Sequence, residues 1–339
     1  MSKIALAIHG GAGTILKSLM TGELEREYRN GLQSALETGW NILQKGGNAL
    51  DTVEATVVEL ENFHLFNAGK GSVFTHDGKN EMDACLMDGK TLRAGAVAFV
   101  RHIKNPIKLA RLVMEKTEHV LLAGEGANEF ARDMNVELET DEYFFTDFRY
   151  EQLLKAREEG RVQLDHTIDE PEIIEEVESP ESQVPSENNG NNSETSDLKL
   201  GTKNLGTVGA VACDSDGNLA AATSTGGMTN KKFGRIGDTP IIGAGSYADN
   251  ATCAVSCTGH GEFFMLGVTA FDLAARMKYK NLKLEQAARE TIDYLTEIGG
   301  EGGLIAVDAL GNVALPFNSD GMYRGFVKED GEIVVEIYR

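Results

Sequence analysis

Thr207 has the surroundings of a nucleophile. It stands in Asn204-Leu205-Gly206-Thr207-Val208-Gly209-Ala210-Val211-Ala212, where valines alternate with small residues, so it reads as the first residue of a half-buried strand with a glycine bend before it. Upstream lies an acidic run rich in Pro, Asn and Ser with no core-forming pattern, so the Gly206-Thr207 bond sits where a linker meets a packed sheet. Such a junction suits self-cleavage. The threonine hydroxyl attacks the Gly206 carbonyl, the ester hydrolyses, and the freed amine of Thr207 becomes a base beside its own hydroxyl. Read locally, the same residues also fit an ordinary strand start after a surface loop.

Further polar residues surround this one in sequence. The strand turns at Asp214-Ser215-Asp216-Gly217-Asn218 and returns as Leu219 to Thr225, and near-equal strand lengths bring Thr225 to the same end as Thr207. Arg235 and Asp238 lie in the glycine-rich loop Lys231 to Pro240. They fit a surface ion pair, or a site in which the guanidinium forks to a carboxylate and the aspartate accepts from an ammonium, together reading an α-amino acid head group. His9, in His9-Gly10-Gly11-Ala12-Gly13, fits a hydrogen-bonded core histidine better than a catalytic one. Neither that turn nor Gly69-Lys70-Gly71-Ser72 has the spacing of a phosphate loop. Cys85, Cys213, Cys253 and Cys257 occupy apolar or small-residue contexts, which suggests free core thiols in a reducing compartment. No histidine or second cysteine pair near Cys253 and Cys257 supports a zinc site.

Six motifs occur in one order: His9-Gly10-Gly11-Ala12-Gly13, Phe66-Asn67-Ala68-Gly69, Met82-Asp83-Ala84, Gly206 to Ala212, Thr223-Ser224-Thr225-Gly226-Gly227 and Gly259-His260-Gly261-Glu262. Together they resemble the plant-type asparaginase / isoaspartyl aminopeptidase family of N-terminal-nucleophile hydrolases. The resemblance implies an α+β fold, a four-layer αββα sandwich. It implies one domain over 1–339, cut into an α chain 1–206, with a flexible acidic tail from about 161 to 206, and a β chain 207–339. It makes Thr207 the nucleophile, has Thr225 bond the nucleophilic hydroxyl, and has the Thr258 hydroxyl and Gly259 N–H receive the oxyanion. Substrate contacts fall to Arg235, Asp238, Gly259, Gly261 and Asn67. The main-chain carbonyls of Leu60, Glu61, Phe63, Phe66, Ala68 and Lys70 would wrap a sodium ion, consistent with oxygen ligands for a hard cation. No organic cofactor is implied. The implied substrates are L-asparagine and β-aspartyl dipeptides, and the implied assembly is a dimer of αβ heterodimers. A glycosylasparaginase would use the same threonine, but that enzyme type usually carries disulfides and an Asp-Thr junction. A non-catalytic amino-acid binding protein, unprocessed, is the alternative from another class.

Placing these residues requires a substantial core, which 339 residues with 41% hydrophobic content can supply. The net charge is −21, of which ten acidic residues between 167 and 198 carry a part with no Lys or Arg to balance them, leaving −11 for the rest. That segment reads as solvated linker, and residues 161–203 hold three of the six prolines. Without a basic patch, nucleic-acid binding is disfavoured. No apolar run is long enough for a bilayer, and the N-terminus reads as a buried strand without a signal-peptide pattern, so a cytoplasmic protein is expected. Helical patterns run from Glu23 to Gly46 and from Ala49 to about Phe63. A hairpin spans Lys79–Gly89 and Leu92–Val100, a helix capped by Asn105-Pro106 reaches Val113, and His119–Ala123 is a short strand before a helix at Gly124–Asp133. Residues 150–160 read as a charged surface helix. Downstream come a strand at Ala251–Cys257, a helix at Phe263–Met277, a helix at Leu284–Ile298 and strands at Gly303–Asp308 and Asn312–Pro316.

Overall fold

The computed structural model describes residues 4–160, 162 and 206–339. The expected linker, apart from residue 162, lies outside the described residues. In chain order the elements are β1 (Ala5–Gly13), α1 (Gly22–Gln44), α2 (Ala49–Asn62), β2 (Met82–Asp88), β3 (Ala94–Val100), α3 (Pro106–Lys116), β4 (Leu121–Ala123), α4 (Gly124–Asp133), α5 (Asp141–Phe144) and α6 (Asp147–Glu158). After Gly206 come β5 (Val208–Cys213), β6 (Leu219–Thr225), β7 (Ser246–Ala248), β8 (Cys253–Gly259), α7 (Gly261–Gly267), α8 (Thr269–Lys280), α9 (Leu284–Glu297), β9 (Gly302–Asp308), β10 (Val313–Ala314), β11 (Gly321–Lys328) and β12 (Ile333–Tyr338).

The strands form an eight-stranded sheet, β12-β11-β1-β5-β6-β2-β3-β4, and a four-stranded sheet, β10-β9-β8-β7. Helices α1, α2 and α3 pack on the larger sheet and α8 and α9 on the smaller, while β1, β5 and β6 touch β8. Strands β5 and β6 are therefore covered on both faces, and every residue in them is buried. This corrects the expectation of a half-buried strand at Thr207. Valines and alanines suit that environment because a strand with no solvent face has no use for alternation.

Local signals account for the helices. Thr21 caps α1 by accepting from the Leu24 amide, and Leu32, Leu36, Trp40 and Leu43 recur on its buried face. The chain leaves α1 through Gly46 in the left-handed region, and Asn48 caps α2 by accepting from Asp51 N–H.

Four expectations need correction, and one hairpin was not foreseen. The glycines after His9, read as a turn, belong to strand β1, which runs on to Gly13 with a register shift between His9 and Gly11. Asn105 precedes α3 without a side-chain cap; its amide donates to Asn62 instead. The helix expected at Phe263–Met277 is two, broken at Val268 with φ 46°, because the Ala270 and Phe271 amides bond the carbonyls of Ala244 and Gly243. The 150–160 helix is α6, and its Arg149, Leu153 and Ala156 are buried. The hairpin β11–β12 was not anticipated, although β11 is the neighbour of β1 near the sheet centre. Its two glycines and the buried Arg324, paired with Glu336, interrupt the apolar pattern.

Two glycine substitutions test this packing with opposite signs. A Cβ on Gly39 of α1 would lie 2.2 Å from Thr56 Oγ1 and 2.6 Å from Leu6 Cδ2, whereas one on Gly126 of α4 meets nothing within 4 Å. Gly126→Ala should therefore stabilise by about 0.5–1 kcal/mol through helix propensity. Gly39→Ala should destabilise, since overpacking of about 1–3 kcal/mol exceeds that gain. Thermal midpoints decide it; a stabilised Gly39→Ala would mean that α1 does not seat on β1 and α2 as described.

Candidate active site

The Gly206 carbonyl oxygen is held by two donors. Asn67 Nδ2 lies 2.9 Å away and Thr225 Oγ1 3.0 Å. The Thr207 hydroxyl, 3.1 Å from Thr225 Oγ1, donates to it, and the Gly227 amide donates to the same oxygen at 3.0 Å. Thr225 thus polarises the carbonyl while drawing on the hydroxyl that would attack it. The β5–β6 hairpin produces this meeting, since its last pair, Val208 with Ser224, leaves Thr207 and Thr225 at one end. Thr207 and Thr225 are nearly buried, and Asn67 is fully so.

Asn67 is fixed by its own loop. Its Oδ1 accepts from Val73 N–H, its Nδ2 also reaches the Gly227 carbonyl, and its carbonyl accepts from Gly226. Arg149, fully buried on α6, donates through Nε to the Gly71 carbonyl and through Nη2 to the Leu65 carbonyl, both at 2.9 Å. Burial lowers the Arg149 guanidinium to about 10. Glu61, in the last turn of α2, accepts from Ser224 Oγ and the Ile107 amide, and burial pushes its carboxyl up to about 8. The loop curls tightly: a Cβ on Gly69 would lie 2.4 Å from the Glu61 carbonyl oxygen, and one on Gly71 2.1 Å from that of Phe66. The Glu61 and Phe66 carbonyls thus lie directly against Gly69 and Gly71, which no larger residue could replace.

Arg235, Asp238, Gly259 and Gly227 border the narrow cleft that Gly206, Thr207 and Thr225 also line. A wider cleft, bordered by Met277, Asp308 and Lys328, contains none of these residues. Arg235 is not paired with Asp238 as a surface ion pair. Its Nε and Nη2 fork to the two carboxylate oxygens of Glu262, each at 2.9 Å. Asp238 is buried, and burial raises its carboxyl to about 7 against the opposing pull of Arg235. Gly261 separates the two, since a Cβ there would lie 2.7 Å from Asp238 Oδ1 and 2.9 Å from Arg235 Nη2. Asp238 Oδ2 and Thr258 Oγ1 are buried and have no hydrogen-bond partner among the described residues. Asp238 lines the cleft of the nucleophile and Thr258 precedes its lining residue Gly259, so the open acceptor and donor are what a ligand's ammonium and oxyanion require.

The structure thus gathers Thr207, Thr225, Asn67 and Gly206 directly, and lines the same cleft with Arg235, Asp238 and Gly259. Three participants escaped the sequence reading. Glu262 stood in a quoted motif but without a role; its carboxylate is within 3.4 Å of His260 Nε2 as well as on Arg235. Arg149 gave no signal in a charged helix. His9 was expected in the core, and it is there, but its Nδ1 is 2.9 Å from the Thr207 carbonyl oxygen. All four cysteines are buried free thiols, raised by burial.

Comparison with known proteins gives one answer. Residues 2–337 match the family described as asparaginase. The chain is 49% identical to an isoaspartyl peptidase of Escherichia coli (strain K12), over 100% of its own length and 97% of that protein. It is 49% identical to the isoaspartyl peptidase of Salmonella typhimurium, with 100% of both covered. It is 40% identical to an isoaspartyl peptidase/L-asparaginase of Xenopus laevis over 99% of this chain and 96% of that one.

A functional orphan and a structural hydroxyl respond differently to removal. Thr258→Val deletes a buried hydroxyl that bonds nothing described, so stability should hold or rise by up to about 1 kcal/mol, read from the thermal midpoint. A fall of several degrees would show that the hydroxyl supports the fold rather than awaiting a ligand.

Proposed function

The chain belongs to the asparaginase family, and from that premise we propose that it is a self-processing threonine amide hydrolase acting on β-aspartyl dipeptides and L-asparagine. The clasp on the Gly206 carbonyl carries this reading. On the same reading the two sheets and their helices form the αββα sandwich of N-terminal-nucleophile hydrolases, the chains are 1–206 and 207–339, and two αβ units pair in the mature enzyme.

Processing begins when Thr207 Oγ adds to the Gly206 carbonyl carbon. The charge developing on the oxygen meets the Asn67 amide and the Thr225 hydroxyl, each already in place. The C–N bond breaks as its nitrogen gains a proton, and water hydrolyses the ester to leave a Gly206 carboxylate and the Thr207 amine. That amine, with a reference pKa of roughly 7.7–8.0, takes the hydroxyl proton in each turnover and returns it to the leaving amine. The substrate's oxyanion takes the Thr258 hydroxyl and the Gly259 N–H. The α-carboxylate goes to Arg235, whose Nε–Nη2 edge stays on Glu262, and the α-ammonium goes to Asp238 across the gap at Gly261. The chemistry asks for no organic cofactor. A sodium ion held by the carbonyls of Leu60, Glu61, Phe63, Phe66, Ala68 and Lys70 would stiffen the loop that carries Asn67.

Processing is tested by electrophoresis and N-terminal sequencing. Purified protein should give two chains of about three-fifths and two-fifths of 36.6 kDa, the smaller beginning at Thr207. Thr207→Ala should remain whole and inactive, and Thr207→Ser should keep part of both activities. An active single chain would end the proposal.

Substrate choice follows from the head-group clamp. An α-linked aspartyl peptide has its α-carboxylate consumed in the amide, which leaves Arg235 short of a partner at about 2–5 kcal/mol, or several hundred-fold in kcat/KM at mid-range. β-Aspartyl-leucine should therefore exceed α-aspartyl-leucine by that factor, and Arg235→Ala should erase much of it. Since Asp238 is protonated below about 7, affinity for the ammonium should fall as pH drops through that value, and Asp238→Asn should bind weakly at every pH. Equal rates on the two dipeptides would remove the clamp and leave the threonine chemistry standing.

A further inference from the structure

The carbonyl of Thr207 lies beyond the reach of the strand ladder. Pairing of β1 with β5 ends at His9 opposite Gly209, and β1 shifts register between His9 and Gly11, where Gly11 has φ 118°. The main-chain donor that a continuing β1 would offer is gone, and the His9 imidazole stands in its place, Nδ1 2.9 Å from the Thr207 oxygen. Its Nε2 is 2.8 Å from Ser256 Oγ on β8, and Ser256 Oγ is 2.6 Å from Thr223 Oγ1 on β6. Thr223 in turn makes a short contact with Ser246 Oγ on β7. All four side chains are fully buried.

The donor order of this chain follows from its first member. A carbonyl only accepts, so Nδ1 carries the proton; burial lowers His9 to about 3, so the ring is neutral and Nε2 accepts. Ser256 must then donate to His9, Thr223 to Ser256, and Ser246 to Thr223. Gly209 makes the crossing possible, because a Cβ there would lie 2.0 Å from Ser256 Oγ and 2.4 Å from His9 Nε2. The chain ties the main chain of residue 207 to both sheets.

We propose that His9, oriented by Ser256 and Thr223, is the positioning residue of the nucleophile: it holds the Thr207–Val208 peptide plane so that the hydroxyl and amine keep their attacking geometry once the bond to Gly206 is gone. This rests on the self-processing reading above. After cleavage residue 207 is a chain end, tethered on one side, and the bond from His9 replaces part of the restraint that the cut removes. His9 does not touch the groups assigned to substrate binding, so its loss acts on chemistry rather than on affinity.

The test compares full-length His9→Leu, His9→Asn and Ser256→Ala with wild type, following the half-time of cleavage and kcat and KM on β-aspartyl-leucine. His9→Leu should slow both cleavage and kcat by about 10–100-fold with KM within about two-fold, the scale of a misplaced reacting group. His9→Asn, which keeps a donor on the first bond, should recover part of the loss. Ser256→Ala keeps the imidazole but removes the bond that holds its Nε2, so the ring can swing off the Thr207 carbonyl, and should lower kcat by about 3–10-fold with an unaltered KM. Should His9→Leu fail to fold, Ser256→Ala decides alone. Wild-type kcat in a folded His9→Leu or in Ser256→Ala, or a raised KM at constant kcat, overturns the proposal. A wild type that neither cleaves nor hydrolyses refutes the underlying function instead.

Discussion

The Gly206 carbonyl is the fixed point of this molecule. A peptide oxygen with two strong donors directed at it is already partly polarised, and here both donors belong to side chains held by other elements. Asn67 depends on a loop closed by glycines and anchored by a buried guanidinium; Thr225 depends on the equal lengths of β5 and β6. Moving either donor by an ångström weakens the same oxygen. Helix α6 thus supports the clasp on the Gly206 carbonyl without approaching it.

Burying a reactive strand between two layers sets the terms for everything near it. Every residue of β5 and β6 is buried, so polar side chains on and beside them must find partners in the protein or remain open for a ligand. Thr223 and Ser224 find them, on Ser256 and Glu61. Thr258 Oγ1 and Asp238 Oδ2 have none among the described residues. Small residues make room for these contacts: at Gly209, Gly226 and Gly261 an added methyl would strike His9 and Ser256, Asn67, or Asp238 and Arg235. Glycine serves here through absent volume more than through unusual backbone angles.

Much of this was legible in advance for physical reasons that are local. A turn with near-equal arms predicts which residues meet, so the pairing of Thr207 with Thr225 followed from sequence; so did the break between α1 and α2, marked by the glycines that follow α1. The groups that support the site were not legible because their contacts span large distances in the chain. Arg149 sits in a helix with as many charges as a surface helix, and nothing in its neighbours says that it reaches Leu65 and Gly71. Glu262 stood in a quoted motif, but its partner Arg235 is 27 residues away. The hairpin β11–β12 was lost because a buried arginine and glycines erase alternation.

Under the proposed cut after residue 206, the strand order has a further meaning. Strand β1 of the first segment lies between β5 and β11 of the second, and β2 lies against β6. The two pieces are therefore woven into one sheet and share one core, so a nick releases nothing. Melting, however, changes character. An intact chain that unfolds keeps its halves together and can return by a unimolecular route, whereas a nicked one separates into two polypeptides that must find each other again. Dilution then opposes recovery, and each half, alone, exposes unpaired strand edges that favour aggregation. The durability of the nicked form becomes a matter of how slowly it first opens, a barrier height rather than an equilibrium.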